Sequence, residues 1–479
     1  MGIRLDGVDR KILNGEDHAM SAVMEFAGEE IVRRTLRYAA RNPEQNLPTL
    51  LAWGERLASG STQKEAVRAV RRALEEPEGN WRRLTLALLK QTKPEILERL
   101  AVNLFVRSFF LGVPRQQAAE KRLDANVPAA LLIDPTSRCN LRCTGCWAGD
   151  YRRTDDLELD LLRRILDEAR PLGVHLIVVS GGEPLVRKGD LLTWAREYPD
   201  FVFHVFTNGT LLDREFAAGA AEAGNLTFAF SVEGLAQNTD ARRGRGVYDK
   251  VLQAMALLRE VGVPFGFSAT YTRHNVPELS SDAFIDAMVE QGCCFGWFFT
   301  YLPVGSDVDL DLMATPAQRA EMYRAVCRFR QTKPIFLADF WNDGEAVQGC
   351  IAGGRRYLHI NAAGEVEPCA FIHYATHNIR NCTLEEALAS PLFQAYRARQ
   401  PFNQNHLRPC PLLDNPDALP EMVRTSGAHP TQLRLAEPGE LARQLHPYAE
   451  EWGRQADGLV RENDRTPEDA GLKQGTVQA

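Results

Sequence analysis

Two kinds of hydrophobic pattern divide the chain. In the first part, apolar positions recur every three or four residues, as at Trp81, Leu84 and Leu88, and this spacing predicts helices. Further along, short continuous apolar runs alternate with amphipathic segments. Continuous apolar runs are typical of parallel strands that are covered on both faces. We therefore expect an all-helical region over 1–126, followed by an α/β unit over 127–314.

Six apolar runs mark the predicted strands of the α/β unit. They are AALLID, VHLIVVS, FVFHVF, LTFAFS, PFGFSATY and CFGWFFTYL, which begin at Ala129, Val174, Phe201, Leu226, Pro264 and Cys294. Amphipathic patterns separate them, and in VYDKVLQAMALLREVG the side chains of Val251, Met255 and Leu258 share one helix face. Six repeated β/α units predict an open, partial (β/α)6 barrel, whose active site lies at the carboxyl ends of the strands.

The β/α alternation stops near residue 315. The predicted elements beyond it are a helix over Pro316–Gln331, a hairpin in YLHINAAGEVEPC that turns at Ala363-Gly364, and a helix over Leu384–Arg399. We expect a small α+β extension over 315–430. The remaining segment, 431–479, is rich in Pro, Gly, Glu and Gln, and this composition predicts a loosely ordered tail.

Composition and charge narrow the class of protein. The chain has 479 residues, of which 44% are hydrophobic and 25% charged, as in ordinary soluble globular proteins. A formal net charge of −7 argues against general nucleic-acid binding, which needs clustered Lys and Arg. Early acidic residues speak against a secretion signal, and charged residues interrupt the apolar stretch Ile96–Val113, so we expect a cytoplasmic protein without a transmembrane span.

Three cysteines stand on one short segment directly after the first predicted strand. The sequence DPTSRCNLRCTGCW places Cys139, Cys143 and Cys146 in C-x3-C-x2-C spacing. Three thiolates on one loop can hold three irons of a [4Fe–4S] cube and leave the fourth iron open to a chelating small molecule. Zinc is the alternative, but structural zinc takes four closed ligands, and no nearby His completes the set.

This cysteine motif resembles that of the radical S-adenosylmethionine (SAM) superfamily. Further segments match that family in order, at the ends of successive predicted strands, over about residues 127–305. Ser180–Pro184 is similar to the family's GGEP motif, and Thr207–Gly209 to its TNG motif. Ser231–Gly234 is similar to S-x-D-G, and Asp240–Gly244 to the H-D-x-x-R-G stretch. Each match alone is weak, but their joint order is hard to obtain by chance.

The resemblance implies which residues contact SAM. The backbone of the GGEP segment and Glu183 would hold the amino group, and Arg243, with Arg242 and Arg245 as alternatives, would pair with the carboxylate. The implied cofactor contacts are Trp147, Gly181, Gly182, Glu183, Asn208, Ser231, Glu233 and Arg243. Two positions depart from the family, since Gly145 stands where an aromatic residue is usual and Glu233 stands where Asp is usual.

The reaction also follows from the resemblance. In the family, a reduced cluster passes one electron to the sulfonium of SAM, which is cleaved to methionine and a 5′-deoxyadenosyl radical. That radical abstracts hydrogen from a substrate or adds to it, and the protein orients the substrate and excludes water. A flavodoxin- or ferredoxin-type reductant is the implied partner. The alternative is an iron–sulfur protein for electron transfer or sensing, but such a protein has no need of the GGEP and TNG segments.

Four further cysteines lie beyond the barrel in turn-rich segments, at positions 350, 369, 382 and 410. The runs GCIAGG and INAAGEVEPC, followed by LEEALASPLFQAYR and Cys410, resemble the auxiliary-cluster extension called SPASM. The resemblance implies a second iron–sulfur cluster with Cys350, Cys369, Cys410 and Cys382 as ligands. Cys382 is the least secure of these, and the alternatives are an open iron or one of His373, His377 and Asp414. Buried structural thiols are the other interpretation.

The sequence narrows the class of substrate without identifying the molecule. Relatives with auxiliary clusters often modify peptides or proteins. The apolar segment LERLAVNLFVRSFFLG, before the barrel, is compatible with lipid or membrane-surface contact, although core packing is the commoner role of such a helix. We therefore expect a peptide, a protein or a lipid-like substrate. Cys293, Cys294 and Cys327 lie on predicted core elements and are interpreted as packed thiols.

Overall fold

The computed structural model describes residues 28–39, 41–57, 68, 71–305, 308–434 and 437–463. The N-terminal part of these residues is helical, as predicted, while residues 1–27 and 58–67 of that prediction lie outside the description. Its principal helices are α1 (Pro43–Leu57), α2 (Asn80–Gln91), α3 (Pro94–Ala101), a π-helix (Val102–Gly112) and α4 (Val113–Leu123). In the described part of the chain, no helix is both long and apolar enough to cross a membrane.

A parallel sheet forms the centre of the molecule. Its strand order is β7-β6-β5-β4-β3-β2-β1-β8-β9, with β1 to β8 parallel and β9 antiparallel to β8. The strands are β1 (Ala130–Ile133), β2 (Leu176–Val179), β3 (Val202–Thr207), β4 (Leu226–Val232), β5 (Phe265–Tyr271), β6 (Phe295–Thr300), β7 (Phe336–Asp339), β8 (Tyr357–Ile360) and β9 (Val366–Glu367). All six predicted strands are thus confirmed as β1 to β6.

Helices connect the parallel strands. They are α5 (Leu159–Ala169), α6 (Lys188–Glu197), α7 (Arg214–Ala223), α8 (Ala236–Arg243), α9 (Val247–Val261), α10 (Val276–Leu279) and α11 (Asp282–Gln291). A 3-10 turn, Pro184–Arg187, begins at the proline of the GGEP segment. The buried faces of these helices pack on one face of the sheet, where Ile177, Val205 and Phe228 belong to the main core.

The sheet extends beyond the six predicted strands. β7 joins the edge formed by β6, and β8 joins the opposite edge beside β1, although both strands come from the region predicted as a separate extension. Their sequences, FLAD and YLHI, each include a polar residue, and the sheet edge that each strand joins is not marked in the local pattern. The predicted hairpin is confirmed as β8–β9. The boundary at residue 314 remains a prediction, and the sheet crosses it.

The C-terminal part contains α12 (Pro316–Thr332), α13 (Gly344–Val347), α14 (Leu384–Leu388), α15 (Pro391–Arg399), α16 (Ala418–Ser426), α17 (Pro438–Asn463) and the short strand pair β10 (Tyr374–Ala375) and β11 (His429–Pro430). The predicted single helix over 384–399 is wrong, because Ser390-Pro391 divides it into α14 and α15.

The predicted loose tail is also wrong over much of its length. Residues 438–463 form the 26-residue helix α17, while 464–479 lie outside the described residues. Composition misled the prediction, since Glu and Gln are good helix formers. The apolar face of α17 carries Leu445, Trp452 and Leu459, which are each no more than 1% exposed.

The other face of the sheet is only partly covered by the C-terminal part of the chain. Along β6, Phe295, Trp297 and Phe299 are half-buried, whereas the alternate residues are buried on the helical side. Phe206 of β3 lies against this row, with its ring centroid 6.2 Å from that of Trp297 and 5.9 Å from that of Phe299. Half-buried Val178 of β2 faces the same side. We call this surface the aromatic face of the sheet.

Candidate functional site

The three motif cysteines lie on the loop that follows β1, and all are half-buried. Burial raises the pKa of the Cys139 thiol to about 11, and Glu183, Cys146 and Cys143 add to this effect. Three thiolates on one loop repel one another, and a cationic iron–sulfur cube would remove that repulsion. Among the described residues, no group of three or more His, Cys, Asp or Glu side chains surrounds a single-ion site. A [4Fe–4S] cube does not need such a site, because each of its cysteine ligands binds a different iron.

The GGEP segment after β2 is bonded to this cysteine loop. The Gly182 N–H donates to the Thr136 carbonyl at 2.9 Å, and the Glu183 N–H donates to the Arg138 carbonyl at 2.8 Å. A Cβ on Gly182 would lie 2.3 Å from the Arg138 carbonyl oxygen, so glycine is required there. The backbone at Gly182 thus packs closely against the cysteine loop, while its contact with SAM stays a prediction.

The Glu183 carboxylate joins two strand ends. It is 1% exposed and accepts hydrogen bonds from the Leu185 N–H (2.9 Å), the Thr207 hydroxyl (2.6 Å) and the Asn208 N–H (2.7 Å). Burial raises the pKa of Glu183, and these hydrogen bonds lower it. The Asn208 side-chain amide donates to Asn140 at 2.9 Å, on the cysteine loop. The GGEP, TNG and cysteine segments therefore form one bonded unit.

Glu233 at the end of β4 pairs with two arginines. Its Oε1 accepts from Arg242 Nη1 at 2.6 Å and from Arg243 Nε at 2.8 Å, and its Oε2 accepts from the Thr270 N–H at 3.2 Å. Arg243 Nη1 lies 4.0 Å from Cys143 Sγ. The ion pair with Glu233 orients the Arg243 guanidinium toward the cysteines. The contact of Arg243 with the SAM carboxylate stays a prediction. Ser231, the other predicted contact on β4, is half-buried on the open side of the sheet.

The structure explains the departure at Gly145. This residue has φ +63°, and a Cβ there would lie 2.6 Å from the Tyr301 ring. Tyr301, directly after β6, thus occupies the space beside the third cysteine. Tyr301 was not predicted as a site residue, although it lies near the end of the apolar run CFGWFFTYL. Trp147 turns to the C-terminal region instead, where its ring lies 5.7 Å from His359 and 5.8 Å from Phe371.

A buried polar network lies beneath Trp147. His359 Nε2 is 2.9 Å from Asp134 Oδ2, and its Nδ1 is 2.7 Å from Glu367 Oε2. The Tyr151 hydroxyl donates to Glu367 at 2.9 Å and lies 2.7 Å from His373 Nδ1. Burial alone would lower the pKa of His359, but the two carboxylates raise it to about 10. Sequence analysis missed this network because its members are far apart along the chain.

This network predicts a pH dependence of stability. The folded-state pKa of His359 is about 10, and that of an unfolded histidine is about 6.5. The stabilisation is therefore complete below about pH 6.5 and is lost as the pH rises toward 10, by up to about 1.4 kcal/mol per pH unit. We expect the thermal midpoint to fall over this window and to fall less steeply in His359→Gln. An equal slope in wild type and variant would contradict the assignment, and the exposed His429→Gln serves as control.

The auxiliary cysteines divide into a group of three and one outlier. Cys350, Cys369 and Cys410 line one cavity together with Trp341, Phe371 and Tyr396. Burial raises the pKa of Cys350 to about 12, and the neighbouring Cys410 thiolate adds to it. Cys382 is absent from this lining and packs against the main core, where its thiol donates to the Asn378 carbonyl at 3.3 Å. The structure therefore separates Cys382 from the other three thiols, and its role as a fourth ligand stays a prediction.

The other cysteines fill the core, as interpreted from the sequence. Cys293 and Cys294 are 3% and 6% exposed, and the Cys294 thiol donates to the Phe265 carbonyl at 3.1 Å. Burial raises the pKa of Cys294 to about 12, so it stays a neutral thiol. Cys327 is half-buried on α12.

Comparisons with known proteins agree with this arrangement. Residues 133–288 match the radical SAM superfamily, and residues 350–411 match SPASM, an iron–sulfur cluster-binding domain. The AdoMet-dependent heme synthase of Methanosarcina barkeri is 26% identical over 54% of this chain and 82% of its own length. The PqqA peptide cyclase of Granulibacter bethesdensis is 27% identical over 56% of this chain and 76% of its own length. SuiB of Streptococcus suis bound to S-adenosylmethionine, at 19% identity, covers 63% of this chain and 76% of its own with a TM-score of 0.52.

The chain belongs to the radical SAM superfamily of enzymes. Its C-terminal region is a SPASM iron–sulfur domain, and its cofactors are a [4Fe–4S] cluster, SAM and an auxiliary iron–sulfur cluster. The likeness to SuiB supports the fold alone.

Proposed function

We propose that this enzyme cleaves SAM at the cluster held by Cys139, Cys143 and Cys146 and directs the resulting radical at a substrate with an apolar body. The observation that carries the proposal is the bonded unit formed by the cysteine loop and the GGEP and TNG segments. An electron carrier would hold its cluster without this unit. We further propose a flavodoxin- or ferredoxin-type reductant as the electron source.

Three residues of the chain would support the cleavage of SAM, in two different ways. When bound, the [4Fe–4S] cluster supplies the electron that cleaves SAM to methionine and the 5′-deoxyadenosyl radical, which abstracts hydrogen from the substrate. Arg242 and Arg243 would offset the negative charge of the cysteine thiolates, since burial raises the pKa of Cys146 and both guanidinium groups partly counter that rise. Glu183 would fix the SAM-binding segments in place, because its three hydrogen bonds tie them together. A rigid site loses less free energy when it orders its ligand.

We also propose that Arg243 pairs with the SAM carboxylate, and substitutions at Glu183 and Arg243 test the roles of both residues in SAM binding. Glu183→Gln replaces an acceptor with an amide NH2 that faces backbone donors, and Arg243→Lys removes the planar fork that pairs with a carboxylate. Loss of one charge-assisted contact costs about 1.5–3 kcal/mol, so SAM affinity is expected to fall about ten- to a hundredfold. Equilibrium dialysis under anaerobic conditions measures the affinity, and cluster absorbance checks that the cluster is intact.

The matched controls for these variants are Glu197→Gln and Arg163→Lys, which break a bidentate surface pair far from the cysteine loop. Both controls should bind SAM like wild type. Wild-type affinity in Glu183→Gln and Arg243→Lys would show that neither residue contributes to the SAM site.

The aromatic face of the sheet supports the substrate class. Phe206, Trp297 and Phe299 are interior residues of a sheet, yet they keep part of their surface exposed. Trp297 and Phe299 lie nearly parallel, with centroids 6.3 Å apart and an angle of 17° between the rings. An apolar surface of this kind binds flat or aliphatic groups better than hydrophilic chains, because their transfer from water is favourable. Among the relatives, the heme synthase by its name makes a tetrapyrrole, and the peptide cyclase acts on a peptide.

A substrate panel tests this class. The holoenzyme with SAM and dithionite is incubated anaerobically with an iron porphyrin, a membrane phospholipid or a hydrophilic peptide, and 5′-deoxyadenosine is quantified by mass spectrometry. We expect the porphyrin or the phospholipid, which represents a lipid-like substrate, to accelerate the release of 5′-deoxyadenosine. The reference is the uncoupled rate, which is measured without substrate. Trp297→Ala should abolish that acceleration and leave uncoupled release intact. Acceleration by the hydrophilic peptide alone would contradict an apolar substrate and favour a peptide-modifying enzyme.

A further inference from the structure

The SPASM region gathers three thiols where a four-iron cube takes four protein ligands in its usual form. Cys350, Cys369 and Cys410 line a single cavity beside Tyr396. A side chain holds the backbone of the loop that carries Cys410, since the Cys410 N–H donates to Asp414 Oδ2 at 3.0 Å. The site is therefore built for a bound group, and one ligand position is left to assign.

The residues named from the sequence as a fourth ligand are engaged elsewhere. His373 lies at the Tyr151 hydroxyl, 2.7 Å away, in the polar network under Trp147. Asp414 is fully buried in an ion pair with Arg319, with Nη1 and Oδ1 separated by 2.6 Å. His377 Nδ1 lies 3.3 Å from the hydroxyl of its neighbour Thr376. None of these side chains lines the cavity of the three thiols.

The side chain of Tyr396 differs from these. It lines the cavity and is 0% exposed, and its hydroxyl has no hydrogen-bond partner in the described part of the chain. Leaving a buried hydroxyl unsatisfied is unfavourable, so a partner in the cavity is expected. A second buried tyrosine nearby is already satisfied, because the Tyr357 hydroxyl donates to Cys369 Sγ at 2.7 Å. The two tyrosines therefore have different roles at one site.

We propose that Tyr396 supplies the fourth protein ligand of the auxiliary cluster through its phenolate oxygen. On binding, the O–H bond breaks, the proton leaves to solvent and an Fe–O bond forms, with no change in oxidation state. One phenolate carries the same charge as one thiolate, so the charge of the ligand set equals that of four cysteines. The inference rests on the auxiliary cluster of the SPASM domain, but it does not depend on the proposed SAM cleavage.

The experiment isolates the auxiliary cluster in the full-length chain. The parent is the variant with Ala at Cys139, Cys143 and Cys146, reconstituted anaerobically, which should hold about four irons per chain. Resonance Raman spectra of the parent should contain iron–phenolate ring modes that shift when the protein is labelled with ring-deuterated tyrosine. These modes should disappear in Tyr396→Phe and persist in Tyr357→Phe. Tyr396→Cys should keep about four irons and give the spectrum of a four-thiolate cluster.

A missing auxiliary cluster and a missing Tyr396 ligand would give different results in this experiment. A folded parent without iron would overturn the auxiliary cluster and, with it, the inference. About four irons without phenolate modes would overturn the Tyr396 ligand alone and would indicate a hydrogen-bonding hydroxyl beside an open iron. The labelled parent carries the native tyrosine, so this test stands even where Tyr396→Phe does not fold.

Discussion

Simultaneous replacement of Cys139, Cys143 and Cys146 by Ala is expected to abolish the release of 5′-deoxyadenosine from SAM. The thiolates are the proposed ligands of the cluster that delivers the electron, so their loss removes the reaction rather than slowing it. The measurement is 5′-deoxyadenosine formed by anaerobically purified protein with dithionite and SAM. Unchanged release in the triple variant would contradict the ligand assignment.

The matched control for this experiment is Cys293→Ala with Cys294→Ala, which removes buried thiols from the core of the same domain. It should lower stability but retain 5′-deoxyadenosine release, because these thiols touch no proposed ligand. A wild-type protein that carries its cluster and releases no 5′-deoxyadenosine would favour the alternative of an electron-transfer or sensing protein.

Arg319→Met is expected to lower the free energy of unfolding by about 3–5 kcal/mol, the usual effect of leaving one charge of a buried pair without its partner. Arg319 and Asp414 are both fully buried, and Arg319 also donates to Asn342 at 2.9 Å. Its guanidinium lies 4.0 Å from the ring centroid of Trp452, which ties α17 to α12. Urea denaturation with an unchanged m-value measures the loss.

The same substitution should also reduce auxiliary iron, because Asp414 holds the backbone of Cys410. Arg324→Met is the matched control on the same helix, since Arg324 pairs with Glu462 while both side chains are more than half exposed. A surface pair of this kind contributes at most about 1 kcal/mol. Equal losses in the two variants would show that the Arg319 pair does not anchor the region.

Most of the barrel could be predicted from the sequence, because each strand and each motif is recognisable within a short segment of the chain. Each strand from β1 to β6 is a continuous apolar run, and each motif follows the end of a strand within a few residues. Parallel strands place their carboxyl ends at one edge, so Cys139, Glu183 and Asn208 could be placed together without knowledge of the structure.

The remainder depends on contacts between distant parts of the chain. Cys382 lies in a turn-rich segment like the other auxiliary cysteines, and its packing against the main core separates it from them in the structure. The role of Glu183 as a clamp depends on the Thr207 and Asn208 donors from the next strand. Likewise, the apolar face of α17 is buried against distant parts of the chain, and overall composition does not reveal such a face.

The pairing of β8 with β1 has a consequence for synthesis on the ribosome. β1 carries the cysteine loop, yet one of its two edges stays bare until residues 357–360 have left the exit tunnel. A bare strand edge invites pairing with other chains, and contacts between residues so far apart form slowly. The nascent cysteine loop is therefore expected to reach its final shape only after the SPASM segment emerges, so that iron loading would follow translation of both cluster regions.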